Sequence, residues 1–519
     1  MTTDDGALTS TRKSFRAALA DARGYVVDDI SRRPAFISSL LRAVRAEQRR
    51  DVRLLPALPA PTPRPGTVTA AVQGMADRGT SSVELVQRSL DAIHQREHEL
   101  NAFVHIASES ALLEEAAALD VERERSGVRG PLHGVPVSIK DIIHVKGMKT
   151  TASSAVLPDY MPEEDATVVS LLRKAGAIIV GKTHTHEFAL GVTTAQSRNP
   201  WDITRDPGGS SGGSAISIST GMSLLGVGTD TRASIRVPAA LCGIVGYKPT
   251  FGLVSTDGVM TLSWSMDHTG LQAKTAGDVA LMMNAVQGLD AKDPGTLDRA
   301  ADDYTDYLNR DVRGLRVGIA VNGLRDVDSE VLKAFDSSVA ALRSLGVEIV
   351  ETEIPSKEDF RLATSLGLIV SRSEAAAYHA SFEGAGDLYT RPVFEQLDEA
   401  SQVRAVDYLN AQRFRGQFQD RMLEHLSGFD ALIMPTTRVA APKVEESDRY
   451  LIILSENCIP WSFIGVPAMS VPSGLTSGGL PMGAQMVASP FADGTLLALA
   501  SALETVLHQI QQPASGGST

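Results

Sequence analysis

The chain has 519 residues, 43% of them hydrophobic and only 5% aromatic, which is ample for one large α/β core or several smaller ones and suits helix-on-sheet layers rather than an aromatic-rich surface. With 49 Lys and Arg against 62 Asp and Glu the formal charge is -13, so the body repels phosphate backbones and nucleic acid is excluded as a direct partner. No run of about 18 apolar residues occurs, no apolar segment follows MTTDDGALTS, and two cysteines in apolar runs, Cys242 and Cys458, give no disulfide framework, so neither membrane nor export is expected and a reducing cytoplasm is the predicted compartment.

Residues 11–50 carry the pattern of short amphipathic helices, with Phe15, Leu19, Ile37, Leu40, Leu41 and Val44 set among arginines. They predict a helical extension, whose apolar stripe offers a contact for a homodimer. From Leu55 to Gly66 five prolines fall in twelve residues, too many missing N–H donors for a helix or inner strand, so this stretch reads as a stiff linker. The division is therefore 1–65 for extension and linker, 66–510 for the main domain, and 511–519 for a flexible tail.

Beyond the linker, Val68 to Arg96 has helical periodicity broken at Gly79-Thr80-Ser81, which predicts two helices. Short apolar runs follow at 135–139, 177–181, 224–228, 315–321, 347–351, 431–435 and 468–472, separated by helical segments. Apolar at successive positions, they read as strands buried on both faces of a parallel or mixed sheet. The expected fold class is α/β, with a central mixed sheet covered by helices on both faces. The segment from about 325 to 430 reads as mainly helical, a cap or flank.

The most unusual stretch is Pro207-Gly-Gly-Ser-Ser-Gly-Gly-Ser214. It lies between the turn signal Asn199-Pro-Trp-Asp and apolar segments, so it is a loop inside a domain and not an interdomain linker. It lacks the Gly-Lys-Ser/Thr ending of a P-loop and the preceding strand of a dinucleotide fingerprint. The same missing strand removes the nucleophile-elbow reading of the Gly-x-Ser-x-Gly match at Ser211. A further arrangement puts one serine in this loop, a second in TDTRASIR after the strand at 224–228, and a lysine, Lys140, at the end of the strand VPVSIK.

The run GGSSGG, then GTDT-x-x-SIR-x-PAA-x-CG, then G-x-KPT resembles the core signature of the amidase signature family. HGVPVSIKDI, ATVVSLLRKAGAIIVGKT, RNPWD, FDALIMPT and GVPAMSVPSG follow the family's order, and the resemblance spans roughly residues 68–505. It implies an amidase cutting C–N bonds of small amides such as anilides, or the acyl bond of carbamates or esters, with Lys140 as base, Ser210 as bridging serine on a cis Gly209–Ser210 peptide, and Ser234 as nucleophile. It also implies an oxyanion hole of backbone N–H groups at Thr231, Arg232, Ala233 and Ser234, an acyl-side pocket at Phe188, Ala189, Leu190 and Gly191, and no metal or cofactor. The apolar pocket residues favour an aromatic or alkyl acyl group.

The proton bookkeeping of such a site requires a neutral lysine. Lowering Lys140 from about 10.4 to about 7 costs about 4 to 5 kcal/mol, which burial can supply, and Asp141 must then point elsewhere. One departure from the family stands out: Arg232-Ala233 replaces the usual Gly-Gly, so either the turn avoids positive φ or it is strained. A solvated or ion-paired guanidinium is the expectation for Arg232. Three other readings are weighed. His184-Thr-His186 suggests a metal-dependent amidohydrolase, the signature also fits the glutamine-using A-type component of a tRNA amidotransferase, and the fold without its chemistry would be a binding module.

Overall fold

The computed structural model describes residues 4–25, 56–59, 63–354, 356–382 and 384–507. Eleven strands form one sheet: β1 (Phe103–Ile106), β2 (Pro136–Lys140), β3 (Ile178–Thr183), β4 (Leu225–Thr229), β5 (Val245–Lys248), β6 (Thr269–Ala273), β7 (Arg316–Ala320), β8 (Glu348–Thr352), β9 (Ala431–Pro435), β10 (Ala468–Leu475) and β11 (Pro481–Val487). Their order is β1-β3-β2-β4-β6-β5-β10-β11-β9-β7-β8. β2 pairs in parallel with β3 and β4, and β7 with β8 and β9, while the remaining ladders are antiparallel. This is the mixed sheet expected.

Burial on both faces is visible in the strand side chains. Ile178 and Val180 of β3 join one apolar cluster and Ile179 joins another; Ala431 and Ile433 of β9 part in the same way from Leu432 and Met434. β8 departs from the expectation. It closes one edge of the sheet, and Glu348 and Glu351 on it are exposed.

The two helices after the linker form as expected. Thr67 caps Val68–Ala76 by accepting the Ala70 N–H at 3.1 Å, and Ser81 caps Ser82–Leu100 by accepting that of Glu84 at 3.1 Å. The 325–430 region holds the helices Ser329–Ser344, Lys357–His379, Arg391–Ser401 and Ala405–Leu426. No helix of the described residues is long and apolar enough to cross a membrane.

The helix Asp4–Gly24 buries Phe15, Ala18 and Ala22 against Lys357–His379 and Ala405–Leu426. Its apolar stripe, expected to offer a dimer contact, is covered by the chain itself. Ile37, Leu40, Leu41, Val44 and the tail 511–519 lie outside the described residues. Part of the proline stretch is tied down, with Leu58 N–H donating to Asn309 O at 2.7 Å and Asp311 N–H to Pro56 O at 2.8 Å.

Glycines in the strands let helices close on the sheet. A Cβ at Gly228 of β4 would stand 2.5 Å from Ser211 Oγ and 2.8 Å from Ile235 Cδ1, and one at Gly246 of β5 would stand 2.5 Å from the Cβ of Ala239. The segments that follow Ser210 and Ser234 therefore lie against bare backbone.

Candidate active site

Parallel pairing of β2 with β4 brings their last residues, Lys140 and Thr229, to the same edge of the sheet. Carboxyl ends of parallel strands are where α/β sheets commonly hold ligands. Lys140 is wholly buried, and its Nζ lies 2.7 Å from Ser210 Oγ and 2.7 Å from Thr229 Oγ1. Burial pulls its pKa down to about 7, and the charges of Asp267 and Asp230 oppose that fall.

Ser210 sits at the end of the glycine loop, just before the buried helix Gly212–Thr220, and the Gly209–Ser210 peptide is cis. The loop is fixed from several sides. Thr194 Oγ1 donates to Gly208 O at 2.9 Å, Gly208 N–H to Asp206 Oδ1 at 2.7 Å, and His186 N–H to Ser210 O at 3.3 Å. The neighbouring Ser211 N–H donates to Ser234 O at 3.1 Å, which joins the loops carrying the two serines.

Asp141 points away from Lys140, as the lysine chemistry requires. Its carboxylate accepts from Lys182 Nζ at 3.2 Å, Thr151 N–H at 3.1 Å and Ser153 N–H at 3.1 Å. Lys182 and Asp141 form a fully buried ion pair.

The turn from Asp230 to Ser234 leads into the helix Arg236–Cys242. Arg236 clamps it, donating to both Asp230 oxygens at 2.9 and 3.0 Å and to Arg232 O at 3.0 Å. Thr231 Oγ1 donates to Asp267 Oδ1 at 2.6 Å. Neither Arg232 nor Ala233 has a positive φ, so this turn does not need the glycines it lacks. Among the described residues, the backbone N–H groups of Thr231, Arg232, Ala233 and Ser234 donate to no protein acceptor, although all four residues are buried. Four successive N–H groups beside the serine turn are thus left without a protein acceptor, which is uncommon for buried backbone.

The reading of Arg232 as solvated or ion-paired needs correction. It is 8% exposed and, among the described residues, forms no ion pair. Desolvation alone lowers it to about 10. The expected acyl-side residues divide. Phe188 joins an aromatic cluster, edge-on to His379 at 4.5 Å and near Phe382 and Tyr389, while Leu190 and Gly191 line a small cavity of about 40 Å³ together with Arg232 and Arg372. Phe188 and Ala189 both hold positive φ, 47° and 60°, uncommon for residues with a Cβ and concentrated at functional sites in folded proteins. The cavity is thus not the purely apolar pocket expected.

His184 and His186 do not gather further ligands: among the described residues no cluster of three or more His, Cys, Asp or Glu could hold a metal ion. His184 Nδ1 lies 3.3 Å from Ser153 Oγ, and His186 Nδ1 lies 3.1 Å from Thr193 Oγ1. Cys242 and Cys458 are both buried and free. Sequence reasoning missed Thr229, Asp267 and Arg372. Thr229 was within reach, since it ends the strand GVGT next to the strand ending in Lys140; Asp267 and Arg372 come from distant segments with no local signature.

Comparison with known proteins adds three findings. A family model described as Amidase matches residues 84–497. The A-type component of glutamyl-tRNA(Gln) amidotransferase from Carboxydothermus hydrogenoformans is 36% identical over 458 residues, covering 82% of this chain and 93% of the relative, and that from Chloroflexus aurantiacus is 36% identical, covering 84% and 96%. Among solved structures, the peptide amidase PAM in complex with chymostatin superposes with a TM-score of 0.75 at 30% identity, covering 86% of this chain and 98% of that one. 6-Aminohexanoate cyclic dimer hydrolase with its substrate gives 0.77 at 26% identity, covering 86% and 98%.

Proposed function

The chain belongs to the amidase family, and on that premise we propose that it hydrolyses C–N bonds of small amides through an acyl-enzyme on Ser234, with Ser210 relaying protons to Lys140. One observation carries the reading: a wholly buried lysine, lowered by burial to about 7, with its Nζ 2.7 Å from a serine hydroxyl. A lysine is costly to bury, and here its Nζ is held by two hydroxyls and no carboxylate, the arrangement of a group kept ready to take a proton.

Ser234 Oγ attacks the carbonyl carbon while its proton passes to Ser210, whose own proton passes to neutral Lys140. The carbonyl oxygen becomes an oxyanion, served by the unpaired N–H groups of residues 231–234. On collapse the C–N bond breaks, and the relay run backwards protonates the departing amine. Water then adds to the acyl carbon, gives its proton to the relay, and releases the carboxylic acid and Ser234. One water is consumed and a C–N bond is replaced by a C–O bond, with no metal or cofactor in any step.

A fluorophosphonate probe tests this directly. Wild type is labelled at Ser234 and turns over members of a panel of carboxamides, anilides, carbamates and esters, whereas Ser234→Ala does neither. Labelling that persists in Ser234→Ala puts the nucleophile elsewhere and overturns the proposal.

The amidotransferase relatives favour a second reading, in which the chain is the A-type component that draws ammonia from glutamine for tRNA-linked amidation. Glutamine hydrolysis that depends on copurifying partner proteins decides for it. Turnover of small amides by the isolated chain decides for the first.

A further inference from the structure

Arg232 and Arg372 stand on the wall of one small cavity of about 40 Å³, the size of a carboxylate group, beside the turn that carries Ser234. They are 8% and 4% exposed. The Arg232 side chain makes no hydrogen bond among the described residues. Arg372 gives one, from Nη2 to Gln396 Oε1 at 3.0 Å, and its Nε and Nη1 find no acceptor. Its guanidinium lies 4.6 Å from the ring centre of Phe15. Asp448 also lines the cavity.

Arg236, four residues on from Arg232, shows how this fold treats a buried guanidinium that serves structure alone. It has a carboxylate, Asp230, on two of its nitrogens and further acceptors on Gln485 and Ser462. Arg232 and Arg372 have no such neutralisation. Burial lowers them to about 10 and about 9, and Arg232 repels Arg372 while Glu399 only partly offsets the cost. An arginine stays charged in any ordinary solution, so two cations without an ion-pair partner among the described residues share a small space. A ligand that supplies the countercharge resolves this.

We propose that the cavity is a carboxylate subsite in which Arg232 and Arg372 hold an anionic group on the acyl side of the substrate, so that the preferred amides are monoamides of dicarboxylic acids. The acyl side follows from the company: Leu190 and Gly191, expected on that side, share the cavity with Arg232, whose own backbone belongs to the turn before Ser234. A guanidinium fork matches a carboxylate in shape as well as charge. The helix Asp4–Gly24 completes the site, with Ser14 on the wall and Phe15 under Arg372, which gives a role to a segment outside the family match at 84–497. The inference rests on the amidase reading and corrects the expectation of an uncharged acyl group.

The test compares kcat/KM for succinamate, glutaramate and adipamate with butyramide and valeramide as neutral counterparts. At least one monoamide is expected to be preferred by about 100-fold or more, since a site built for a polar group rejects the analogue that lacks it. Arg372→Met collapses that ratio and Arg372→Lys restores part of it. Without ligand, Arg372→Met keeps the thermal midpoint or raises it, because an unpaired buried charge is removed. An unchanged ratio with a lowered midpoint marks a structural arginine and overturns the proposal. Calorimetry on Ser234→Ala separates the two readings: glutaramate binding there, lost in Ser234→Ala/Arg372→Met, supports the subsite even if no amide is turned over. Hydrolysis of neutral amides with neither preference for nor binding of the monoamides overturns the subsite and leaves the amidase reading standing.

Discussion

Nζ of Lys140 is as close to Oγ1 of Thr229, at 2.7 Å, as it is to Oγ of Ser210, at 2.7 Å. A neutral amine has two N–H groups and one lone pair. If one N–H goes to Thr229, the lone pair is free to turn to the Ser210 hydroxyl, which makes Thr229 a positioning residue. Thr229→Val keeps the shape and removes the acceptor, at a cost of about 1 to 3 kcal/mol for a buried unpaired donor, so kcat/KM should fall by about 10- to 100-fold. The hydroxyl also favours the ammonium form. Its loss should therefore move the acid limb of the pH profile to lower pH, and a rate and limb both unchanged would reduce Thr229 to packing.

The pH profile itself follows from the lysine. Its ammonium form cannot accept a proton, and burial brings its pKa to about 7. Activity as kcat/KM should accordingly rise as pH increases through about 7 and level off above it, reporting the free enzyme. Lys140→Ala should flatten the rise and lower the rate by several orders of magnitude. Ser210→Ala should cost less, because water can stand in for a relay more easily than for the final acceptor. Near-normal turnover and an unchanged profile in Lys140→Ala would make the mechanism wrong for this chain.

Much of this architecture was legible in the chain. The seven apolar runs became β2, β3, β4, β7, β8, β9 and β10, most of them because a run buried on both faces needs no partner to announce it; β8 formed at the sheet edge instead. β5, VGYK, and β6, TGLQA, were not legible: glycine and polar residues hide them, and what fixes them is antiparallel pairing with each other and with β4 and β10. The glycine that weakens Val245–Lys248 as a strand signal is required there by the approach of Ala239. At the site, the motif resemblance singled out Lys140 and Ser210, which the fold brings together. Arg372 could not be read, since its meaning comes from an arginine 140 positions earlier in the chain sharing the same cavity.

The Asp230–Arg236 pair should govern stability around the serine turn. Burial would lift the pKa of Asp230, but the charge and hydrogen bonds of Arg236 outweigh it and hold the group at about 2, against an ordinary 3.8. A depressed carboxylate stabilises the fold above its unfolded value and loses that contribution as pH falls through the folded one. Asp230→Asn leaves Arg236 buried without a counterion and should destabilise by about 3 to 5 kcal/mol at pH 7. In denaturant titrations the gap from wild type should narrow as pH falls from about 4 to about 2. A constant gap would assign the loss to packing rather than charge.

Gly228 offers a test of how the sheet positions both serines at once. A methyl group there would press on Ser211 Oγ at 2.5 Å and on Ile235 Cδ1 at 2.8 Å, the residues immediately after Ser210 and Ser234. Ser211 cannot yield without cost, because its Oγ already donates to Thr229 O at 3.2 Å, and Ile235 must turn its Cδ1 away from a backbone whose N–H is held by Asp230 Oδ2 at 3.3 Å. Overpacking of this kind costs about 1 to 3 kcal/mol of stability. Its effect on rate should be larger in proportion, since a shift of about 1 Å between reacting groups can cost about 100-fold. Gly228→Ala is therefore expected to fold, with a modestly lowered denaturation midpoint, and to lose about 100-fold or more in kcat/KM together with fluorophosphonate labelling rate. If labelling and turnover stay normal while stability drops, the two serine loops are not positioned by their contact with β4.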